Sequence, residues 1–383
     1  SGAQTNGPLQ WMARYFYGHD SSEWEYPTAS NPDGYDFGIG SSNETDQQGA
    51  QAQLSATFGD YSFTGGLDYI HYQVENSWSP QETSYHNPAL FGLGKAKFLA
   101  DRLVLTGGLR YDWFTVEVEE PAGNEETAEQ LTPQLGLVYN VNSLVKLRAQ
   151  YGQGFMVPSA DQLAIDTYQY GVKTVGNPDL DPETSSTYEA GMDLDRGSLH
   201  AGLGYFYTQY EDKIVAQYLV DGSQSWTNLG EATIAGVESE LSYDFGELLE
   251  LTWEIKPYVN LTCLTEYEDD ETGNDLLYTS RLNLGGGLVL GSSNGLSGRI
   301  NVSHYSAQDV EDWESNTYPA PVVELDSMTV ADLSASYRFL TTDQFGAYTV
   351  RAEMTNFLDE EYGYVKGYPM PGRAFFVSLR WDY

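Results

Sequence analysis

The sequence predicts an all-β fold: a transmembrane, antiparallel, up-and-down β-barrel of about sixteen strands. Three observations predict it. Apolar and polar residues alternate with period two from end to end, and tight turns alternate with long polar connections. Mean hydropathy is −0.43, and no apolar run reaches the roughly 18 residues a membrane helix needs. A spanning helix is thereby excluded. A spanning barrel is not, because residues facing a polar lumen dilute those facing lipid.

Along the chain the alternation picks out strands one by one. Within Arg102–Phe114, Leu103, Leu105, Leu109, Tyr111 and Trp113 share one face, and Arg102, Thr106, Arg110 and Asp112 the other. Val145, Leu147, Ala149 and Tyr151 alternate with Lys146, Arg148 and Gln150. Tyr188, Ala190, Met192 and Leu194 alternate with Glu189, Asp193 and Asp195. Two such faces recur over Tyr278–Leu290, Leu296–Val302, Ala331–Phe339 and Tyr348–Met354. The last strand sets Phe375, Val377, Leu379, Trp381 and Tyr383 against Phe376, Ser378, Arg380 and Asp382. A strand of this kind, ending on an aromatic residue, suits the closing seam of an outer-membrane barrel.

Tight connections are expected near Gly59, Ala100, Asn140–Ser143, Asp195–Ser198, Asp244–Leu248, Gly291–Gly295 and Leu340–Gly346. Long ones are expected at His19–Asp46, Val74–Leu90, Glu119–Gln130, Gln153–Glu183, Glu211–Glu231, Glu268–Leu276, Ala307–Asp326 and Leu358–Gly372. Short periplasmic turns with long extracellular loops are the asymmetry of such barrels, and an even strand count leaves both termini on the periplasmic side. Residues 1–383 therefore read as one barrel domain with no globular domain beside it.

Composition narrows the partners. With 56 acidic and 18 basic residues the formal charge is −38, which argues against nucleic acid. Much of the excess acid lies in connections such as Glu117–Glu129 and Glu266–Asp275. Cys263 is the single cysteine and cannot form an internal disulfide. Ser1-Gly2-Ala3 reads as the start of a mature chain or of a fragment, with no signal peptide before it.

Three segments go further than barrel character: Asn177–Gly191 (NPDLDPETSSTYEAG), Asn228–Glu240 (NLGEATIAGVESE), and Asn356–Tyr362 (NFLDEEY) followed by Tyr368–Tyr383. In this order, and with Gly107–Asp112 (GGLRYD) in mid-chain, they resemble the carboxy-terminal barrel of TonB-dependent outer-membrane receptors. The resemblance runs from about residue 47 to the end. It implies a multi-pass barrel in the bacterial outer membrane, among its lipid and lipopolysaccharide. It also implies a family barrel of about 22 strands with a plugged lumen, a small nutrient ligand, and energy delivered through the plug by the TonB complex. This chain has no recognisable plug or TonB-contact segment, and about six strands fewer. The plug and remaining strands are therefore expected from a missing region or a separate chain, unless the barrel is a reduced one.

Catalysis finds no constellation. The histidines His19, His71, His86, His200 and His304 lack metal or triad spacing, and Gly285–Gly287 lies within an alternating strand rather than a phosphate loop. The chain reads as a non-enzyme without a resident cofactor. Lumen-facing charges are expected at Arg110, Lys146, Arg148, Glu189, Glu238, Glu240, Arg281, Arg299, Arg338 and Arg351, since they would be costly against lipid. Pairing along the wall, contact with a plug and a wet channel filter are all open to them. Ligand contacts are expected from loop aromatics: Trp78, Tyr85, Tyr168, Tyr170, Trp226, Trp313, Tyr318, Tyr364 and Tyr368. The acidic run holding Asp269, Asp270, Glu271 and Asp275 could take Ca²⁺, although it lacks the spacing of a recognised calcium loop.

The first functional expectation is a receptor barrel for high-affinity uptake of a scarce nutrient, an iron–siderophore complex ahead of cobalamin or haem. Two others stand beside it: a plugless diffusion channel of about sixteen strands, constricted by an inward-folding Gln153–Glu183 loop, and a surface platform for a partner protein.

Overall fold

The computed structural model describes residues 2–4, 7–24, 41–120, 124–169, 172–315, 317, 320–342 and 346–382. Among them, sixteen strands have nine residues or more. They are β1 (Leu9–Trp24), β2 (Ser41–Phe58), β3 (Tyr61–Asn76), β4 (Glu82–Phe98), β5 (Leu103–Glu120), β6 (Asn124–Asn140), β7 (Val145–Met156) and β8 (Glu183–Arg196). Then follow β9 (Leu199–Tyr218), β10 (Gln224–Tyr243), β11 (Trp253–Asp269), β12 (Leu282–Ser292), β13 (Leu296–Tyr305), β14 (Met328–Thr342), β15 (Gly346–Thr355) and β16 (Ala374–Asp382). Two short helices, α1 (Ala160–Ala164) and α2 (Phe245–Leu248), interrupt the connections.

Contacts group the chain into two compact units. One comprises Ser1–Leu137, Gln150–Thr187 and Gln209–Glu231; the other comprises Val138–Ala149, Tyr188–Thr208 and Ala232–Tyr383. In the first, β1 to β5 pair consecutively and antiparallel. Because the pleat repeats every two residues, the register sorts side chains into rows. Trp11, Leu54, Gly65, Gly92 and Leu109 form one row, and Arg14, Gln51, Asp68, Ala89 and Asp112 the row on the opposite face. In the second unit, β10 to β16 pair in the same way. Pro257, Leu288, Ile300, Leu333, Met354 and Phe375 line up on the apolar face, with Lys256, Val289, Arg299, Ser334, Glu353 and Phe376 opposite. Leu54, Leu109, Ile300, Leu333 and Phe375 are exposed. An apolar face this extensive demands lipid or a partner, since water would penalise it.

The tight turns fall where the sequence puts them at Gly59–Asp60, Leu99–Arg102, Val141–Leu144 and Gly197–Ser198. The connection at Asp244–Leu248 differs, containing α2. Asp244 caps it, accepting from the N–H of Gly246 at 2.8 Å, as short acidic side chains do at helix starts.

Several long connections are shorter than expected. Val74–Leu90 reduces to 77–81 and Glu211–Glu231 to 219–223, because the flanking strands continue through the polar stretches. Likewise β1 and β2 run to Trp24 and from Ser41, and β5 and β6 run to Glu120 and from Asn124; the residues between them lie outside those described. The cause is that backbone pairing needs no apolar face once the strands leave lipid. Polar cross-strand pairs suffice there, as with Asn43 to Asn76 at 2.6 Å and Gln73 to Glu82 at 2.9 Å. Conversely, the strand expected from Tyr278 begins only at Leu282. Tyr278 has φ 58°, and its N–H donates to the Asp309 carbonyl at 2.8 Å. Tyr383 lies outside the described residues.

On the polar face the ring of Phe91 lies over Gly66, its cross-strand partner, so a Cβ at Gly66 would strike that ring and approach the Ala52 carbonyl. At Gly92, on the apolar face, a Cβ would meet nothing within 4 Å. Gly66→Val should cost about 1–3 kcal/mol, read as a lower temperature for losing the compact band in semi-native electrophoresis. Gly92→Ala should leave that temperature unchanged.

Candidate functional site

The feature that stands out on the polar face is a strap, residues 157–169 and 172–182, between β7 and β8. Ser159 opens α1 with a capping box: its hydroxyl accepts from the Gln162 N–H at 3.2 Å while the Gln162 side chain accepts from the Ser159 N–H at 2.9 Å. The helix brings Ala160, Leu163 and Ala164 against Val116 and Val118 of β5, and Leu180 joins them. Leu163 and Leu180 are only 2% and 1% exposed. Tyr85, Phe114, Ile214 and Trp226 close around this cluster. Val116 and Val118 share the face of Asp112, and Tyr85 is the cross-strand partner of Val116, so the strap lies on the polar face.

Polar bonds fasten it at both ends. The Ala160 N–H donates to the Tyr85 hydroxyl at 3.2 Å. Asn177 donates through Nδ2 to the Trp226 carbonyl at 2.9 Å, while its Oδ1 receives the Asp179 N–H at 3.0 Å. Asn228 and Asp181 exchange two bonds, each 2.8 Å, and Asn228 also reaches the Asp212 carbonyl. The Glu183 carboxylate accepts from the Ile214 N–H at 2.7 Å. Thus the NPDLDPE and NLGE segments meet, tying the strap to β9 and β10. The prolines at 158, 178 and 182 suit it, since none needs a partner for a missing N–H.

The third motif is also architectural. Asn356 is 2% exposed and holds the connection to β16 through bonds to the Glu360 N–H and C=O, both at 2.9 Å. Its own N–H donates to Asp332 at 3.0 Å, and Asp359 receives the Arg373 N–H at 3.0 Å.

Charges on the polar face mostly have partners. Arg110 donates to Asp68 at 2.6 Å and to Asp112 at 2.9 Å. Lys146 and Arg148 converge on Asp193 at 2.8 and 3.4 Å, and Glu189 follows the same face. His200 sits between Asp195 at 2.6 Å and Glu240 at 3.0 Å. Glu238 is opposite Thr262. Arg299 lies over the Tyr258 ring, 5.1 Å from its centre, and donates to its hydroxyl. Arg351 pairs with Glu353 at 2.9 Å, and Arg338 is opposite Thr349. Arg281 precedes β12 instead of lying in it.

The loop aromatics divide. Tyr85 and Trp226 are committed to the strap's cluster, and Trp78 is half-buried in the 77–81 turn. Tyr168 and Tyr368 are 72% and 70% exposed, and Trp313 is exposed in the turn Trp313–Ser315. Tyr364 packs edge-on against Tyr305 and Tyr362, with centroids 6.0 and 5.9 Å apart, and burial pushes its hydroxyl pKa up. A cavity of about 490 Å³ beside it is lined by Glu314, Asp326, Glu361, Tyr362, Lys366 and Tyr368. Tyr170 and Tyr318 lie outside the described residues.

The acidic run does not converge. Asp269 caps its own turn through Thr272 at 2.9 Å, Asp270 receives the Thr233 hydroxyl at 2.9 Å, and Asp275 receives the Tyr267 hydroxyl at 2.7 Å. Glu271 is exposed. Among the described residues no group of three or more His, Cys, Asp or Glu side chains could hold a metal ion, so the Ca²⁺ expectation gains no geometric support.

What the sequence missed is the strap's core. Val116, Val118 and Leu163 belong to no motif, and Leu180, within the NPDLDPE segment, carries no sign there that it is buried. The one available signal was an apolar run, Phe114, Val116 and Val118, following Arg110 and Asp112 on the same face of the strand.

Comparison with known proteins decides the family. Residues 2–357 match the family described as TonB dependent receptor-like, beta-barrel. The chain belongs to the TonB-dependent receptor β-barrel family. Similar curated proteins include a ferric enterobactin receptor of Pseudomonas aeruginosa, 27% identical over 72% of this chain and 38% of the relative. A vitamin B12 transporter of Vibrio cholerae is 25% identical over 84% of this chain and 47% of the relative. Among solved structures, a ferric enterobactin receptor of P. aeruginosa in complex with enterobactin superimposes with TM-score 0.75, at 20% identity, over 98% of this chain and 60% of the other. The chain thus spans less than two thirds of the relatives it matches. Its fold is that of the TonB-dependent receptor barrels, an outer-membrane family of receptors and transporters rather than enzymes.

Two predictions follow from these contacts. Asp112→Ala, which removes a carboxylate 4% exposed in its side chain beside Arg110 while leaving Arg110 paired with Asp68, should cost about 1.5–3 kcal/mol, whereas Asp166→Ala, which breaks the exposed pair with Lys173, should cost about 1 kcal/mol or less. Thermal unfolding in detergent measures both. In the strap, partial desolvation holds the carboxyl of Asp161, an exposed residue, above the usual carboxylate range. Its folded pKa exceeds the unfolded one, so the strap loses stability as pH rises through the folded value and is relieved below the unfolded one. Asp161→Asn should therefore slow amide exchange in residues 157–165 at neutral pH, an advantage that fades as the medium is acidified.

Proposed function

We propose that this chain forms barrel wall of an outer-membrane receptor that imports a scarce nutrient, an iron–siderophore complex first, with cobalamin or haem next. The observation that carries the reading is the family match over residues 2–357. Relatives named as ferric enterobactin receptors and vitamin B12 transporters support it. In this reading the exposed rings of Tyr168, Trp313, Tyr364 and Tyr368 offer faces on which a ligand stacks at the long-loop end. The plug and remaining strands, from elsewhere in the protein or from a second chain, would gate the lumen. The TonB complex would act on that plug, and the wall's charges would meet it.

One observation favours a second reading, a diffusion channel. The strap packs on the polar face, where it would narrow a lumen without any plug.

The two separate in a growth experiment. A strain lacking the gene is supplied with ferric enterobactin as its only iron source. Growth lost on deletion, restored by the cloned gene and dependent on TonB supports the receptor. Restoration that persists without TonB favours the channel, and growth indifferent to deletion contradicts siderophore uptake.

A further inference from the structure

We propose that residues 157–169 and 172–182 are a fixed strap that sets what passes along the polar face, not a lid that swings over it. The inference deepens the transport reading and rests on it for its functional half.

A lid is drawn from weakly held structure, with few buried apolar contacts and an opening that costs little. This segment is built the other way. Its helix buries Leu163, and its return limb buries Leu180, in the cluster shared with Val116 and Val118. The limbs also hold each other: the Gly176 N–H donates to the Ile165 carbonyl at 2.7 Å, and the Asn177 N–H to the Gln162 carbonyl at 2.8 Å. Gly176 lies so close to the end of α1 that a Cβ there would strike the backbone of Leu163 and Ala164. On the far side the paired bonds of Asn228 and Asp181 grip the strap's end, and Thr174 bridges in parallel to Gln224 at the start of β10.

The strap therefore joins β4 and β5 to β9 and β10, although β6, β7 and β8 come between them in the chain. Swinging it aside would break both anchors at once and strip an apolar cluster. Between the anchors the strap forms a hairpin of Asp166–Gln169 and Val172–Val175, held to β10 through Thr174. It exposes Tyr168 and an Asp166–Lys173 pair 3.6 Å apart. These side chains, held at a constant position, are the specificity-determining groups of the strap.

The test uses the intact protein purified from outer membranes. Hydrogen exchange at Leu163, Ile165, Gly176 and Asn177 should be as slow as in β5. Exchange of these amides at the rate of an unstructured peptide would overturn the proposal. A second arm carries Val116→Cys with Ala164→Cys in a Cys263→Ser background, using ferric enterobactin as the probe. Uptake that is the same with the bridge oxidised or reduced supports a fixed strap; loss on oxidation with recovery on reduction overturns it. If neither form takes up the probe while the unmodified protein also fails, the receptor reading for that ligand falls, and exchange alone decides the strap. Where transport is measurable, Tyr168→Ala should alter uptake without changing exchange in residues 157–165.

Discussion

Satisfaction of the backbone in lipid governs this structure. An N–H or C=O without a partner in hydrocarbon costs several kcal/mol. The chain must therefore remain in an unbroken ladder wherever it crosses. Strand pairing from β1 to β5 and from β10 to β16 supplies that ladder. Once it is in place, the two-residue pleat fixes everything else about the wall. Leucines fall on one face, and carboxylates and guanidinium groups on the other, where rings such as Phe91 and Tyr258 pack among them. The net charge of −38 is compatible with a membrane protein because the strands present their charges to the polar face and the connections.

Above the crossing, the constraint relaxes. Strands continue as polar hairpins held by side-chain amides, and one connection turns back to build a small apolar core of its own. The asparagines there do for the backbone what a ladder does lower down. Asn177, Asn228 and Asn356 each bond main-chain groups in or beside the connections. The segments that mark the family are thus concerned with shaping connections. The same scaffold leaves side chains such as Tyr168 and Tyr368 exposed, and in the proposed receptor reading these are the ones offered to a ligand.

The alternation of Leu103–Trp113 and of Phe375–Trp381 was legible because each residue's face is a local property of the pleat. Turns marked by Gly59, Asn140–Ser143 and Gly197 were legible for a similar reason. The limits of the long connections were not, since a polar hairpin and a polar loop have the same composition, and only cross-strand partners distinguish them. Which charges share the polar face of a strand was readable one residue at a time, yet the convergence of Lys146 and Arg148 on Asp193 depends on which strands are neighbours. The strap's core was hidden for the same reason. Leu163 and Val116 are far apart in sequence, and no local pattern announces that they meet. Trp226 looked like a ligand-facing ring and instead serves packing, a distinction that only burial reveals.

The central claim is that one face of each crossing strand meets lipid and the other meets water. Spin labels placed singly from Leu103 to Trp113, in a Cys263→Ser background and reconstituted in bilayers, test it most directly. The account predicts that oxygen accessibility peaks at Leu103, Leu105, Gly107, Leu109, Tyr111 and Trp113, and that access to a water-soluble relaxation agent peaks at Val104, Thr106, Gly108, Arg110 and Asp112. Labels with no two-residue oscillation, or with the two reagents favouring the same positions, would contradict it.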